Sequence, residues 1–316
     1  MTQTHAGFVA IIGRPNVGKS TILNALLDAK VSIVTPKAQT TRERVLGILT
    51  EPRGQIVFVD TPGIHKAREG GINEFMVDEA KQALDAPNAV WYLLDPRTAL
   101  THEQEVLSKL KGVKSPVFLI LNKLDVLRDE QTLAKGAATL DAITHAAREA
   151  GVNVHSSRMV SAYKKRGLQE LLEETWKLIP ESPLFFPPDE NGDEQISDRP
   201  MRFFVAEKIR EQLYLHLGEE LPYSCAVEID SFDENSKPPR IEATIHVERD
   251  SQKGMVVGKG GSKIKDIGTS ARKEVESFVG SKVFLGLRVK LLKDWTRDAQ
   301  ALKRFGYKSE KKGARR

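Results

Sequence analysis

The sequence predicts an α/β domain, with a mostly parallel sheet covered by helices, followed by a smaller α+β domain. Short apolar runs alternate with amphipathic stretches over residues 1–180, which is typical of parallel strands joined by helices. A segment rich in Pro, Gly and acidic residues follows over 181–200 and has the composition of a linker. The chain of 316 residues is longer than the roughly 100 to 200 residues of a typical domain. We therefore expect domains over 1–180 and 201–316, joined by a linker over 181–200.

The elements of the first domain are predicted from local pattern. A helix is expected over Thr21–Leu27, directly after the first strand. The expected strands are the apolar runs Phe8–Ile12, Gln55–Val59, Ala89–Leu94, Val117–Leu121 and Val154–Val160. Each run is far shorter than the roughly 20 apolar residues that a membrane span needs. The pattern therefore favours a packed sheet and excludes a transmembrane protein.

The second domain begins with a helical period and continues with alternating strands. Its expected elements are a helix over Met201–Leu217, strands over Tyr223–Ile229 and Ile241–Val247, a glycine-rich loop at Gly258–Gly261, a helix to about Val279 and a strand over Val283–Leu291. The end of the chain, Lys303–Arg316, carries seven Lys or Arg and one Glu. We expect this basic tail to be solvated.

Composition narrows the class of protein. Hydrophobic residues make up 40% and charged residues 29% of the chain, which is ordinary for a soluble globular protein and excludes disorder. Cys225 is the single cysteine, so the chain has no intramolecular disulfide and no cysteine metal cage. A phosphate-binding motif begins at Gly13, which leaves no room for a signal peptide, and we expect a cytoplasmic protein.

The positive charge lies in the second half of the chain. Residues 200–316 hold 24 Lys and Arg against 17 Asp and Glu, or +7, whereas residues 1–199 hold 24 against 26, or −2. A basic domain next to an acidic one indicates a polyanionic partner for the second domain.

A phosphate-binding loop follows the first predicted strand. Gly13-Arg-Pro-Asn-Val-Gly-Lys19-Ser20 fits G-x-x-x-x-G-K-[ST] between a strand and a helix. Backbone N–H groups of such a loop surround phosphates, and the following helix presents its positive end. Lys19 is expected to reach the β and γ phosphates, and the Ser20 hydroxyl to bind Mg²⁺.

Two further motifs stand after predicted strands. Asp60-Thr-Pro-Gly63 follows Gln55–Val59; Asp60 would hold Mg²⁺, and the Gly63 amide would sense the γ-phosphate. Asn122-Lys-Leu-Asp125 follows Val117–Leu121. The Asp125 carboxylate matches the N1–H and N2–H donors of guanine, which adenine lacks, so the sequence predicts GTP and GDP as ligands.

Other segments complete the predicted nucleotide site. Asn122 would tie the guanine loop to the phosphate loop, the Lys123 stem would pack on the base, and Ser161-Ala162 would contact the guanine edge. The polar segment 36–42 is the expected mobile switch, and either Thr40 or Thr41 would complete the Mg²⁺ shell. The predicted nucleotide contacts are Gly13, Arg14, Pro15, Asn16, Val17, Gly18, Lys19, Ser20, Thr21, Asp60, Thr61, Pro62, Gly63, Asn122, Lys123, Leu124, Asp125, Ser161 and Ala162, with Ser20, Thr40, Thr41 and Asp60 as Mg²⁺ ligands.

These motifs, together with segments of the second half, resemble the Era-like family of bacterial ribosome-assembly GTPases, which carry a C-terminal KH domain. The resemblance covers nearly the whole chain. Outside the nucleotide motifs it rests on Lys37-Ala-Gln-Thr-Thr-Arg42, Asp198-Arg-Pro, Ala206-Glu-Lys-Ile-Arg-Glu211, Glu220-Leu-Pro-Tyr-Ser224, Val227-Glu-Ile229 and Val256-Val-Gly-Lys-Gly-Gly-Ser-Lys-Ile264. It implies a P-loop GTPase domain followed by a type II KH domain.

The resemblance also implies how GTP is hydrolysed. Such relatives lack the glutamine that orients water in Ras-type GTPases, and Ile64 stands after Gly63 here. They rely on a monovalent cation, and Asn16 matches the asparagine associated with K⁺. We therefore expect slow, K⁺-stimulated hydrolysis in which the catalytic residues are Lys19, Asn16, Thr40, Thr41 and Gly63.

For the second domain the resemblance implies binding to the 3′ end of small-subunit rRNA and a role in small ribosomal subunit assembly. A KH loop clamps about four nucleotides of single-stranded RNA. The expected contacts are Lys253, Gly258, Lys259, Gly260, Gly261, Lys263 and Lys265. Val256, Val257, Ile264 and Ile267 are expected to be mostly core, with one or two facing bases. We expect a monomer. The basic tail would be solvated, bind rRNA or contribute to peripheral contact with the inner membrane.

Some features depart from the family pattern, and two rival functions stay open. Lys164-Lys165-Arg166 stands where relatives carry small or polar residues, and the insertion Asp189–Gln195 and the tail Lys311–Arg316 receive no role. One rival is a KH protein that uses nucleotide only structurally. The other is a related GTPase that acts on the large subunit or in tRNA modification.

Overall fold

The computed structural model describes residues 4–35, 37, 40–63, 71–218 and 221–307. Ile64 and most of the basic tail lie outside these residues. The chain divides into two compact units, and the main boundary falls between Asp198 and Arg199. Within the described ranges, no helix has the length and apolar character that a membrane crossing requires.

The first unit is built on a six-stranded sheet. Its strands are β1 (His5–Gly13), β2 (Val45–Glu51), β3 (Gly54–Asp60), β4 (Ala89–Leu94), β5 (Val117–Leu121) and β6 (Val154–Met159), in the order β2-β3-β1-β4-β5-β6. Only β2 pairs antiparallel; the other pairings are parallel. Every residue of β3, β4 and β5 is buried, as expected for parallel strands covered on both faces. The predicted α/β fold is confirmed.

Five α-helices in the described part of the first unit follow its strands, except that β2 leads directly into β3. They are α1 (Lys19–Leu27), α2 (Gly71–Gln82), α3 (Gln104–Leu110), α4 (Glu130–Glu149) and α5 (Leu168–Trp176). The start of α4 shows how sequence sets a boundary: Asp129 accepts a hydrogen bond from the backbone N–H of Thr132 at 2.8 Å, and the Thr132 hydroxyl reaches back toward the Asp129 backbone. This capping box satisfies N–H groups that have no partner inside the helix.

Part of the predicted linker lies against the first unit. The Phe185 ring stacks on Phe8 with 4.9 Å between centroids, and the backbone of Phe186 exchanges two hydrogen bonds of 2.9 Å with the Gln55 side chain. Farther along, the Ile196 carbonyl accepts a hydrogen bond of 3.0 Å from the backbone N–H of Ile48 in β2. The segment therefore covers the β2 edge of the sheet, which would otherwise expose unpaired backbone groups.

The second unit is the predicted α+β domain. Its elements are α6 (Met201–His216), β7 (Cys225–Asp233), β8 (Arg240–Val247), α7 (Asp250–Val257), α8 (Ser262–Val279), β9 (Phe284–Leu291) and α9 (Ala299–Arg304). The sheet order is β7-β8-β9; β7 and β8 pair antiparallel, and β8 and β9 pair parallel. One face of this sheet packs against α6, α7 and α8 through buried aliphatic side chains. The glycine-rich loop joins α7 to α8.

Candidate functional site

The loop between β1 and α1 has a backbone conformation that depends on glycine. Gly18 has φ +99°, and a Cβ there would lie 2.3 Å from Asn122 Nδ2, so both the conformation and the space require glycine. The helix α1 begins at the next residue, Lys19. Its free N–H groups and dipole therefore lie at the loop, an arrangement that favours phosphate.

Lys19 is drawn back into this loop. Its Nζ donates to the carbonyl oxygens of Gly13 at 3.2 Å and Arg14 at 2.9 Å, and the residue is 6% exposed. Burial lowers the pKa of Lys19 to about 8, although the Asp60 carboxylate acts in the opposite direction. A cation held in this way is available to a phosphate group placed within the loop.

Three oxygen-bearing side chains meet at the end of β3. The Ser20 hydroxyl donates to Asp60 Oδ2 at 2.8 Å and lies 3.0 Å from the hydroxyl of Thr41. Asp60 is fully buried, and its Oδ1 has no hydrogen-bond partner among the described residues. Burial raises the pKa of Asp60, while Lys19, Ser20 and Ser32 counteract the shift. A buried carboxylate oxygen without a partner, beside two hydroxyls, fits the hard oxygen ligands that Mg²⁺ requires.

The two candidate switch threonines have different surroundings. Thr41 lies beside Ser20, as described above. The Thr40 hydroxyl instead donates to the Lys37 carbonyl at 2.8 Å and lies 2.9 Å from the Thr35 hydroxyl. The sequence did not decide between Thr40 and Thr41 as the Mg²⁺ ligand. In this structure Thr41 lies beside Ser20 and Asp60, and Thr40 does not.

Sequence reasoning missed Ser32. Its hydroxyl donates to Asp60 Oδ2 at 3.0 Å, and the side chain of Asn24 in α1 holds its backbone. Asn24 Oδ1 accepts from the N–H of Val31 at 3.0 Å and of Ser32 at 2.9 Å. Ser32 stands in an irregular loop without a motif, so no pattern in the sequence signals its contact with Asp60.

The predicted guanine loop is joined to the phosphate loop through one side chain. Asn122 Nδ2 donates to the Val17 carbonyl at 2.9 Å, and its Oδ1 accepts from the Ala162 N–H at 2.9 Å. The Ser161 hydroxyl donates to Asp125 Oδ1, which orients that carboxylate. Asn122 and Ser161 are both buried, at 2% and 0% exposure, whereas Asp125 is exposed. The contacts predicted from four separate segments thus form one site.

A second missed residue, Asp95, lies directly after β4. Lys123 Nζ donates to Asp95 Oδ2 at 2.9 Å and to the Asn16 carbonyl. Burial opposes ionisation of Asp95, but hydrogen bonds from Arg97 and Lys123 outweigh it and hold its pKa well below the usual range. Ligands bind at the carboxyl ends of parallel strands. The position of Asp95 directly after a predicted strand was therefore a sign in the sequence that it belongs to the site.

Some predicted contacts have side chains engaged elsewhere. The Arg14 guanidinium donates to the His102 carbonyl, and the Thr61 hydroxyl donates to the Ile11 carbonyl at 2.9 Å. Gly63 lies against the phosphate loop, since a Cβ there would be 2.7 Å from the Pro15 nitrogen. The remaining residues shape the loops: Val17 and Pro62 are buried, Pro15, Thr21 and Leu124 are half-buried, and Asn16 is exposed.

The glycine loop of the second unit is open to a ligand. Gly260 has φ +59°, and a Cβ at Gly260 would meet no atom within 4 Å. The backbone conformation favours glycine here, while the space above the loop is empty enough for close approach by a phosphate. Of the four predicted basic contacts, Lys253, Lys259 and Lys265 are exposed and Lys263 is half-buried.

Burial separates the four aliphatic residues that flank this loop. Val256 and Ile267 are both 0% exposed and belong to the core beneath β8. Val257 and Ile264 are half-buried. Two residues are therefore core, and the other two retain surface beside the glycine loop.

Comparison with known families matches both units. The model of a 50S ribosome-binding GTPase family matches residues 8–123, and the KH domain model matches residues 220–296.

Similar proteins match almost from end to end. GTPase Era of Stenotrophomonas maltophilia (strain R551-3) is 43% identical over 306 residues, 97% of this chain and 98% of that protein. GTPase Era of Xanthomonas campestris pv. campestris (strain B100) is 43% identical over 308 residues, 97% and 99% of the two chains.

Two solved structures are similar over the whole chain. One is Era in complex with MgGDPNP and nucleotides 1506–1542 of 16S ribosomal RNA, with TM-score 0.88, 35% identity and coverage of 97% of this chain and 100% of that chain. The other is a variant of Aquifex aeolicus Era bound to GDP·AlF4⁻, with TM-score 0.88, 35% identity and the same coverage.

Proposed function

The chain belongs to the Era family of GTPases, and from this premise we propose that it is a GTP-hydrolysing switch that binds the 3′ end of small-subunit rRNA and assists small-subunit assembly. One observation carries the proposal: a single chain holds both the joined phosphate and guanine loops and an open glycine loop flanked by lysines. We assign residues 1–180 to the GTPase domain, 181–200 to the linker and 201–316 to the KH domain and basic tail.

We propose that Asp125 selects guanine. The Ser161 hydroxyl holds one carboxylate oxygen of Asp125, which orients the carboxylate for the paired N1–H and N2–H donors of guanine. Adenine presents no such pair and would leave the carboxylate without its hydrogen bonds, a loss of about 1 to 3 kcal/mol or more. The backbone of Ala162 and the stem of Lys123 would bound the base.

The phosphates and Mg²⁺ would be held by the phosphate loop and the end of β3. The N–H groups of residues 13–18 and Lys19 Nζ would bind the phosphates. Ser20, Thr41 and Asp60, the last directly or through water, would be the oxygen ligands for Mg²⁺. When bound, Mg²⁺ would neutralise the negative charge that develops on the phosphate oxygens as GDP leaves. Lys19 adds to that charge from a buried position, where it acts more strongly than in water. Thr40 stays the alternative switch ligand, and the Gly63 amide would face the γ-phosphate.

We propose that hydrolysis is slow and is stimulated by K⁺ through Asn16. The position after Gly63 is Ile64, whose apolar side chain cannot polarise water. Asn16 is exposed, has φ +64° and has its backbone carbonyl held by Lys123. This contact fixes the backbone from which the side-chain amide extends at the rim of the phosphate loop. Phosphate release should be faster in KCl than in NaCl, and Asn16→Ala should remove the difference. Equal rates of phosphate release by the unaltered chain in KCl and NaCl would refute the proposed K⁺ stimulation.

The KH domain would bind RNA through Gly258–Gly261 and the neighbouring lysines. Glycines let the RNA backbone approach, and Lys253, Lys259, Lys263 and Lys265 supply charge to its phosphates. Val257 and Ile264 are the aliphatic residues with surface left for a base. The similar Era structure contains nucleotides 1506–1542 of 16S rRNA, which supports the same RNA as the partner here. We also propose a monomer that acts in the cytoplasm, with a basic tail that is solvated, binds rRNA or contributes to peripheral contact with the membrane inner face.

Phosphate release from GTP and from ATP, with and without an RNA copy of the rRNA 3′ end, tests this proposal. We expect hydrolysis of GTP and not of ATP, and we expect the RNA to accelerate GTP turnover. A chain that binds GTP but shows no single-turnover hydrolysis would be the purely structural rival. A chain that hydrolyses GTP and prefers large-subunit rRNA or tRNA over the 3′ end RNA would be the other rival.

A further inference from the structure

The turn after Ser161-Ala162 exposes an aromatic ring among three cations. Tyr163 is 73% exposed, and Lys164, Lys165 and Arg166 are exposed as well. Lys164 Nζ lies 5.0 Å from the centre of the Tyr163 ring. The proposed GTP chemistry uses none of these side chains. We propose that residues 163–166, here named the 163–166 turn, form a second RNA-contact surface that takes the phosphate backbone and an unstacked base of small-subunit rRNA.

The backbone of this turn is fixed at both ends. The N–H of Arg166 donates to the Ser161 carbonyl, and the N–H of Ser161 donates to the Arg166 carbonyl, both at 3.0 Å. The N–H of Lys164 donates to the Ser161 hydroxyl at 3.1 Å, and Ser161 is fully buried. The exposed side chains therefore project from a preorganised loop, which lowers the entropy cost of binding a partner.

The side-chain chemistry favours RNA over other partners. Lys165 is paired with Asp28, the residue directly after α1, so Lys164 and Arg166 carry the charge that a partner would meet. Flexible single-stranded RNA is bound by cations that contact phosphates together with aromatic rings that stack on bases. An acidic protein segment would match the cations but offers no base to stack on the Tyr163 ring.

This inference rests on the proposed function, because it takes small-subunit rRNA as the partner. It assigns a contact outside the KH glycine loop, and the proposal commits this contact to rRNA other than the 3′ segment. The test therefore uses two RNA probes: deproteinised small-subunit rRNA that lacks its 3′-terminal segment, and that 3′ segment alone. Binding of the full-length chain to each probe is measured over a range of KCl concentrations.

The variant Lys164→Gln with Arg166→Gln removes two phosphate-binding charges. On the truncated rRNA we expect about tenfold weaker binding at moderate salt, with the slope of log K against log[KCl] shallower by about 1.4, because each lost contact with single-stranded RNA accounts for about 0.7. Tyr163→Leu should weaken binding about tenfold, within the range measured for loss of base stacking, whereas Tyr163→Phe keeps the ring and the affinity.

Two controls separate contact from folding and from general charge. Lys135→Gln with Arg148→Gln removes one Lys and one Arg that are exposed on α4, and this variant should bind the truncated rRNA like the unaltered chain. All variants should bind GDP with the affinity of the unaltered chain, since the backbone hydrogen bonds of the turn are kept.

Four outcomes would overturn the inference. Equal binding of the truncated rRNA by the unaltered chain and by the Lys164 and Arg166 double variant would remove the phosphate contact. The same double variant is also measured on intact small subunits, where a loss that is not seen with naked rRNA would assign the turn to a ribosomal protein. Failure of the unaltered chain to bind even the 3′ segment would refute the proposed function, and this inference with it. Normal binding of the 3′ segment, together with no detectable binding of the truncated rRNA by the unaltered chain, would refute this inference alone.

Discussion

Raising the pH from 7 to 9 should weaken GDP binding through Lys19. The side chain is 6% exposed, and burial lowers its pKa to about 8. A lysine with that pKa is about nine-tenths protonated at pH 7 and about one-tenth protonated at pH 9. Bound phosphates stabilise the cation, so Lys19 stays protonated in the complex across this range.

The size and sign of the effect follow from proton linkage. Above pH 8 the free chain has lost the Lys19 proton and the complex keeps it, so binding must take up a proton and the affinity falls as the pH rises. Between pH 7 and 9 the binding-competent fraction falls about tenfold, or ~1.4 kcal/mol. Below about pH 7 the free chain is already protonated, and the affinity should become independent of this group.

Calorimetric titration of the Mg²⁺-containing chain with GDP at pH 7, 8 and 9, at constant ionic strength, measures this dependence. Titrations in buffers with different ionisation enthalpies count the proton that is taken up. The matched control is Lys19→Arg, which keeps the charge but does not titrate in this range, so its affinity is lower but shows only the pH dependence of GDP itself. A dissociation constant of the unaltered chain that is the same at pH 7 and 9, or a slope no steeper than that of Lys19→Arg, would refute the reasoning.

Further predictions concern the switch, the base site and the RNA loop. Thr41→Ala should reduce Mg²⁺-dependent single-turnover GTP hydrolysis by about tenfold or more, as expected for loss of a charge-stabilising ligand, and more than Thr40→Ala does; the reverse order would assign Thr40 as the ligand. Asp125→Asn should exchange GTP for XTP as substrate, since the amide donates to the 2-oxo group of xanthine, and HPLC of the products reads the change. Gly260→Asp should abolish binding of the rRNA 3′ segment in a filter assay while GTP affinity stays unchanged, because the carboxylate opposes the RNA phosphate; surviving RNA affinity would disprove the loop assignment. Asn122→Ala should lower the midpoint of thermal unfolding of the first unit and weaken GDP binding, since it leaves two buried backbone groups without partners at about 1 to 3 kcal/mol each.

The fold was predictable where each element carries its own signal. The run Val117–Leu121 is apolar throughout, and β5 has the same bounds. The strand β2 was not predicted, because Val45–Glu51 is interrupted by a glycine and its pairing with β3 depends on a neighbour. The helix α7 was missed as well: Asp250–Val257 is short, includes Gly254 and has no amphipathic period. Both misses are elements whose structure depends on tertiary packing rather than on local pattern.

The same distinction applies within the candidate site. Motifs such as Gly13–Ser20 can be predicted from the sequence because phosphate binding constrains the types of residues that are neighbours in the chain. The contact of Ser32 with Asp60 is not readable, since it joins positions 28 apart in the sequence through a loop that Asn24 supports. The choice between Thr40 and Thr41 likewise depended on which hydroxyl reaches Ser20, a distance that residue types alone do not determine.

Asn122 explains why the phosphate and guanine sites behave as one unit. Its side-chain amide donates to the Val17 carbonyl of the phosphate loop and accepts from the N–H of Ala162, the residue predicted to contact the guanine edge, each at 2.9 Å. Asn122 is almost completely buried. Two other residues of the motif are held by side chains outside it, Lys123 by Asp95 and Asp125 by Ser161. A displacement of either loop must break a buried hydrogen bond, which costs more than an exposed one because water cannot replace the partner. A displacement of the segments that meet the base would therefore also displace the phosphate loop, so that base recognition is coupled to the geometry in which Lys19 and Ser20 meet the phosphates.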